Sequence, residues 1–271
     1  MRRANSEPPS MMLALTARCL VAAAAVALAA ALPAAADTVM SAKTRYLDMK
    51  VEIDSALKRM PGLFENLSAE GKTWGEANRR DADQAWRRDK SDFSDGRSWG
   101  FERTYTLFST AGRYVGVLRR DYVYTGGAHP NTVVDTILWD TAAKKPVSVR
   151  PFFTETADNG PTMKALAKLI REAVAKEKKA RGGDVASDLT KDEWLKGIEP
   201  SLLKLGPLVL APSNETGKSG GLSVHFSPYA VGSYAEGLYT VVIPWRDFAQ
   251  YLSPEGRAVF GGEPPPPAKD D

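Results

Sequence analysis

The sequence is poor in the residues that most often announce chemistry. It has one cysteine, Cys19, and two histidines, His129 and His225. A single cysteine closes no intramolecular disulfide, so the fold rests on its hydrophobic core. The pattern G-x-S-x-G occurs at Gly96–Gly100 and Gly217–Gly221, but each leads from a polar turn into an expected strand and not from a strand into a helix, so no nucleophile elbow is expected. The glycine pairs Gly126-Gly127 and Gly220-Gly221 lack both the strand–G-x-G-x-x-G–helix setting and a following Lys-Ser/Thr, which excludes a recognisable phosphate loop. The histidines stand far apart without an acidic residue at a ligand-like offset, so no metal site is expected from spacing. Nor does charge of one sign dominate. The formal net charge is +3, and setting aside Arg2, Arg3, Arg18 and Glu7 leaves 33 basic against 32 acidic residues. Such a chain carries no electrostatic footprint for nucleic acid.

Cys19 to Leu32 is an uncharged run of 14 residues dominated by Ala, Val and Leu. It is too short for a membrane span of about 20 residues. Arg2, Arg3 and Arg18 precede it, and Pro33 with Ala34-Ala35-Ala36 follows, the layout of a signal peptide with an A-x-A cleavage site. We expect residues 1–36 to be removed on export, leaving a periplasmic or secreted bacterial protein without a stable membrane span.

The remaining chain is organised around Tyr122-Val-Tyr-Thr-Gly-Gly-Ala-His-Pro-Asn131. Strand-like runs flank it, Arg113–Tyr124 and Thr132–Trp139, both rich in β-branched and aromatic residues. Gly126 and Gly127 are suited to positive φ, and Pro130 biases His129 toward an extended conformation. With the alternating run Trp99–Ser109, residues 98–140 read as a three-stranded antiparallel meander. Upstream, Tyr46–Ile53 reads as a half-buried strand. Pro61-Gly62 is expected to break the chain, and the capping-box pattern Thr73-Trp-Gly-Glu76 predicts a helix from Trp74 to about Lys90.

Downstream, Pro161 opens the clearest helix. Met163, Leu166, Ala167, Ile170 and Val174 form one apolar stripe, Lys178 and its neighbouring lysines are placed largely off it, and Gly182-Gly183 ends it. A second capping box, Thr190-Lys-Asp-Glu193, predicts a shorter helix holding Trp194, Leu195 and Ile198. Strands are expected at Leu205–Leu210, Gly221–Phe226 and Tyr239–Ile243. Between the last two lies an ordered loop, Ser227–Gly237, anchored by Tyr229 and Tyr234, and Pro244 opens a short helix through Tyr251. The division expected is 37–150, 151–252 and a disordered Pro-rich tail at 253–271.

Taken together, Tyr124-Thr-Gly-Gly-Ala-His-Pro-Asn131, Pro151-Phe-Phe153 and Val224-His-Phe-Ser-Pro-Tyr229, followed by Tyr234-Ala-Glu-Gly237 and Ile243-Pro244, resemble a known extracytoplasmic family. This is the domain family shared by the peptidoglycan deacetylase PdaC and the lysozyme-sensing anti-sigma factor RsiV. The resemblance spans roughly residues 42–252. It implies an α+β fold of antiparallel sheets with packed helices in two modules, an envelope location, no catalytic machinery and no cofactor. The 271 residues contain neither a deacetylase domain nor a cytoplasmic anti-sigma segment, so what carries over is binding, to a lysozyme-like protein or to peptidoglycan.

The candidate recognition edge is Tyr124, Gly126, Gly127, His129, Asn131, Tyr229 and Tyr234, on two loops held by strands. Tyr124, Trp139, Tyr229, Tyr234 and Trp245 are the aromatics considered for an exposed binding surface, against the plainer reading that they are core. For His129 the plain reading is a turn residue whose ring bonds the loop backbone. For His225 it is a strand residue with one satisfied nitrogen. The competing functional class is an envelope hydrolase with a carboxylate or His129-centred site.

Overall fold

Two β-sheets face each other, and one long helix covers the outer side of each. The computed structural model describes residues 35–265, which fall in one compact unit. The expected signal segment, apart from Ala35 and Ala36, lies outside the described residues, as do residues 266–271. The first sheet has six strands in sequence order: β1 (Ala36–Lys43), β2 (Leu47–Asp54), β3 (Trp99–Ala111), β4 (Tyr114–Tyr124), β5 (Asn131–Asp140) and β6 (Lys145–Val147). The second has three: β7 (Leu208–Ala211), β8 (Gly221–Phe226) and β9 (Tyr239–Pro244). The helices are α1 (Pro61–Arg88), α2 (Pro161–Ala180) and the short α3 (Pro254–Val259). The fold is α+β, and the meander β3-β4-β5 is antiparallel as expected. One pair departs from the antiparallel pattern. β2 and β3 run parallel, because the chain crosses between them through α1.

That crossover helix corrects the reading of residues 61–90. Pro61 does not break the chain but starts a 28-residue helix, at a position where its missing N–H costs nothing. Thr73 is not a cap. It lies in mid-helix, and its hydroxyl donates to the Ala69 carbonyl at 2.9 Å. The buried stripe of α1 is Leu63, Leu67, Gly71, Gly75, Ala82 and Ala85, mostly small residues. A Cβ on Gly71 would stand 2.7 Å from Val51 Cγ1, and one on Gly75 would stand 2.6 Å from Met40 Sδ. These glycines let the helix lie directly on β1 and β2. Even-spaced small residues give no apolar signal, so the sequence pattern under-reads the helix.

The lysine-rich helix α2 forms as expected, and Met163, Leu166, Ala167, Ile170 and Val174 are all fully buried. Lys178 corrects the accompanying expectation: it continues the stripe and is 2% exposed. The second predicted helix, from Thr190, is absent. Asp192 instead folds residues 186–197 as turns, accepting from the amides of Trp194 and Leu195 through Oδ1 and of Ala186 through Oδ2. Leu195 and Ile198 still reach the core.

The expected tail from 253 is corrected for its first part. Ser253 caps α3, and Phe260 packs edge-on against Phe152 and Phe248, with centroids at 5.8 and 5.2 Å. The Asn214 amide then bonds the Glu263 carbonyl, and the Trp245 indole donates to the Gly262 carbonyl. Residues on both sides of 150 share one core: Ala111, Tyr114 and Leu138 join Phe152, Leu166, Val224 and Phe260 in a single cluster. Trp139 belongs to the core under α1 and is 4% exposed. Among the described residues, no helix is long and apolar enough to cross a membrane.

Contact between the sheets is tight at one end. Ser109 donates its hydroxyl to the Leu210 carbonyl at 2.5 Å, and Thr136 donates to the Leu208 carbonyl at 2.8 Å. Gly116 leaves room for Val209, which a Cβ there would meet at 2.5 Å. β7 thus lies across β3, β4 and β5, and the sheets diverge from it.

Candidate functional site

The two loops singled out by sequence meet in space. The turn between β4 and β5 carries His129, and the loop between β8 and β9 carries Tyr229 and Tyr234. The His129 ring stacks on Tyr234 with centroids 3.9 Å apart, and Tyr229 lies 5.6 Å from Tyr234 and 6.4 Å from His129. Tyr234 donates its phenol to the Pro130 carbonyl at 2.9 Å. His129 Nδ1 is 2.9 Å from the same oxygen, which can only accept, so Nδ1 carries the proton. His129 Nε2 is turned toward the Tyr229 phenol at 3.5 Å. Below the rings, the Val134 amide donates to Ser227 Oγ at 2.9 Å. His129 is thus a turn residue bonding its own loop and also one ring of an aromatic trio. Tyr229 is 54% exposed, in a left-handed conformation with φ of 69° that costs a tyrosine some strain.

The other sequence candidates frame this rim without entering the trio. Gly126 takes φ of 93° at the turn's exposed tip; Gly127 does not use positive φ, which corrects half of that expectation. Tyr124 is half-buried at the end of β4, opposite Gly100 of β3, and exposed Asn131 opens β5 opposite Val123. Trp245 packs under the chain's last described segment.

The loop Ser227–Gly237 is mounted on α2 by a buried ion pair. Lys178 Nζ donates to Glu236 Oε2 at 2.6 Å and to the Val231 carbonyl at 3.0 Å. Glu236 also accepts from the Tyr239 phenol at 2.6 Å and from the Ser233 amide at 2.7 Å. The last contact completes a capping box around the single turn Tyr234–Glu236. The ring of Tyr234 is therefore held from below by its own turn and from above by the Pro130 carbonyl.

Behind the rim, where the sheets diverge, a slot of about 550 Å³ opens between them. Thr104, Thr106, Phe108, Leu118, Arg120 and Val134 line it from the first sheet, and Ser223, His225, Thr240 and Val242 from the second. A second lobe of about 500 Å³ shares Thr104, Arg120 and Leu238 with it and ends at Tyr122, Pro228 and Tyr234. Slot, outer lobe and aromatic rim are thus continuous. Sequence reasoning found the rim but missed the slot. Its lining is a set of alternate strand residues, some apolar and some hydroxylated, that carry no motif.

His225 lies deep in the slot, 4% exposed, with Nε2 2.9 Å from Ser223 Oγ and Nδ1 3.0 Å from Thr240 Oγ1. Both nitrogens are satisfied, one more than expected. Phe108 meets the ring edge-on at 5.1 Å. Burial, with the Arg120 charge acting in the same direction, pushes the imidazole down from 6.5 to about 4, so it is neutral near pH 7. A base held below its unfolded pKa is protonated first in the unfolded chain. Its stabilising contribution is therefore full above about pH 6.5 and is lost as pH falls toward about 4. Between about pH 7.5 and about pH 5 this amounts to about 2 kcal/mol. Urea midpoints at the two pH values should show that loss, and His225→Gln should abolish most of it. An unchanged pH dependence in the variant would place the acid-sensitive group elsewhere. Among the described residues, no group of three or more His, Cys, Asp or Glu is placed to hold a metal.

The fold and site together define an α+β scaffold of two facing sheets with an aromatic rim and an inter-sheet cleft. Residues 156–246, from before α2 through β9, match the profile of DUF3298, a protein family of unknown function. No curated protein matches the sequence. The chain is similar in structure to a DUF3298 family protein from Pseudomonas aeruginosa PAO1, with a TM-score of 0.52 at 15% identity over 84% of this chain and 95% of that one. It is similar to the same degree to a DUF3298 family member from Bacteroides fragilis NCTC 9343, with a TM-score of 0.52 at 16% identity over 83% and 93% of the two chains. At these identities the likeness is one of fold.

Proposed function

We propose that this chain is a non-catalytic binding protein of the bacterial cell envelope that recognises its partner with the rim formed by His129, Tyr229 and Tyr234. The observation that carries this reading is the joining of two loops, about 100 residues apart in sequence, into one stacked surface. Rigid, half-exposed aromatics lose little freedom on association, which is why they serve as anchors at interfaces. The resemblance to the PdaC and RsiV domains supports an envelope setting and a lysozyme-like enzyme, or peptidoglycan itself, as the partner. A hydrolase centred on His129 finds less support. The ring's nitrogens are directed to the Pro130 carbonyl and the Tyr229 phenol, not to a nucleophile or carboxylate.

The test is a titration of the purified chain with c-type lysozyme and, separately, with soluble peptidoglycan fragments, following complex formation and lysis of cell-wall substrate. Saturable binding to one of them is expected, weakened about tenfold or more by Tyr234→Ala or Tyr229→Ala. Absence of binding to both at about 100 μM, a concentration that detects an affinity of about −5.5 kcal/mol, would overturn the reading. So would turnover of peptidoglycan abolished by His129→Ala.

A further inference from the structure

We propose that the slot between the two sheets binds a small amphiphilic carboxylate: an apolar chain lying along Phe108, Leu118, Val134 and Val242, with its carboxylate paired to Arg120. Facing sheets normally interdigitate their side chains and leave little void. Here they are pinned close at β7, where Gly116 and Ser109 accept the approach of Val209 and Leu210. Away from β7 the positions that face the gap include Thr104, Thr106, Ser223 and Thr240, side chains too short to cross it. The slot of about 550 Å³ is within the size range of small-molecule sites, about 300–1,000 Å³. Its walls combine apolar surface with a few hydroxyls, the usual lining of such sites.

Charge selects the class of ligand. Arg120 lines both the slot and the outer lobe, and among the described residues no carboxylate is ion-paired with it. Two other charged side chains of the slot pair with each other. Glu177 accepts from Arg181 at 2.8 Å, and Arg181 also donates to the carbonyls of Glu236 and Leu238. Glu102 lines the outer lobe; it stands in register with Lys50 across the β2–β3 pair, and the Lys50 ammonium is itself paired with Glu52 at 2.6 Å. His225 is neutral and both its nitrogens are taken by hydroxyls. The cleft therefore presents, in Arg120, a guanidinium without an ion-paired carboxylate beside an apolar chamber. A planar carboxylate fits that fork bidentately, and a chain attached to it fills the chamber.

The inference does not depend on what the rim binds. Calorimetric titration of the purified chain with dodecanoate, dodecanol and acetate tests it. Dodecanoate should bind saturably at one site, dodecanol about tenfold or more weaker, and acetate not measurably at the same concentrations. Arg120→Gln should weaken dodecanoate about tenfold, and Thr106→Trp, which fills the slot from its exposed lip, should abolish binding. Circular dichroism and the urea midpoint of each variant establish that it is folded. Tyr229→Ala should leave dodecanoate affinity unchanged, which separates this site from the rim. Equal affinity for dodecanoate and dodecanol, full retention in Arg120→Gln, or no binding of dodecanoate at all would each overturn the proposal.

Discussion

Replacing Arg103 with methionine should cost about 3–5 kcal/mol, a large share of the roughly 5–15 kcal/mol that holds a domain folded. Arg103 and Asp121 face each other across β3 and β4 under α1, with side chains 6% and 11% exposed. The pair is bidentate, Nε to Oδ1 and Nη2 to Oδ2, both at 2.6 Å. The guanidinium also lies 4.5 Å from the Trp74 ring centroid. Without Arg103, Asp121 keeps a desolvated charge whose nearest other cation is Arg119, with Nε at 3.9 Å. Arg119 is already committed to Glu70 and Asp135, at 2.6 and 2.8 Å. Urea unfolding of Arg103→Met should show the loss. The double variant with Asp121→Leu should recover most of it, because an apolar pair of similar volume is tolerated where a lone charge is not. A loss below about 1 kcal/mol in the single variant, or no recovery in the double, would mean that the pair is hydrated.

Lys178→Met is expected to have the second-largest effect, about 3 kcal/mol, and to act on the site as well as on stability. Lys178 is the cation that fixes Glu236, and Glu236 orders the turn that presents Tyr234. Burial acts to raise the Glu236 carboxyl, but Lys178, the Tyr239 phenol and the Ser233 amide outweigh it and hold the group at about 2, below the ordinary 4.5. A carboxylate depressed in the folded state stabilises above its unfolded pKa. The contribution is therefore full above about pH 4.5 and disappears as pH falls toward about 2. In Lys178→Met the urea midpoint should fall at neutral pH, and this acid-sensitive component should shrink. Amide exchange between Val231 and Gly237 should accelerate, since the loop loses its mount on α2. Partner affinity at the rim should fall with it. Unchanged exchange in that loop would show that Tyr239 and Ser233 suffice to hold it.

Legibility of the helices followed the size of their buried side chains. α2 could be read end to end because its stripe is made of Met163, Leu166, Ile170 and Val174 and is bounded by Pro161 and Gly182. α1 could not, because most of its inner face is Gly71, Gly75, Ala82 and Ala85. Those residues are there for the close approach to β1 and β2, a tertiary requirement. The two capping-box patterns failed for a related reason. Thr73 bonds back to Ala69 inside a longer helix, and Thr190 yields to Asp192, whose carboxylate reaches three amides of one loop. A capping pattern states what a side chain can do, and packing decides whether it is asked to.

The sequence by itself determined the strands of the meander, the α2 stripe, the two loops and the residue types that line the rim. These follow from local preferences: β-branched alternation, a proline and a glycine at helix ends, and turn residues at Gly126 and Pro130. The tertiary structure alone decided that His129, Tyr229 and Tyr234 meet, that Lys178 is buried as an ion pair, and that β2 and β3 run parallel. It alone leaves a slot in which, among the described residues, Arg120 has no ion-paired carboxylate. The parallel pair depends on the crossover through α1, and the rim and the slot depend on how two sheets cross and where they separate. That geometry is set by non-local contacts such as Ser109 with Leu210 and Gly116 with Val209, which no window along the chain contains.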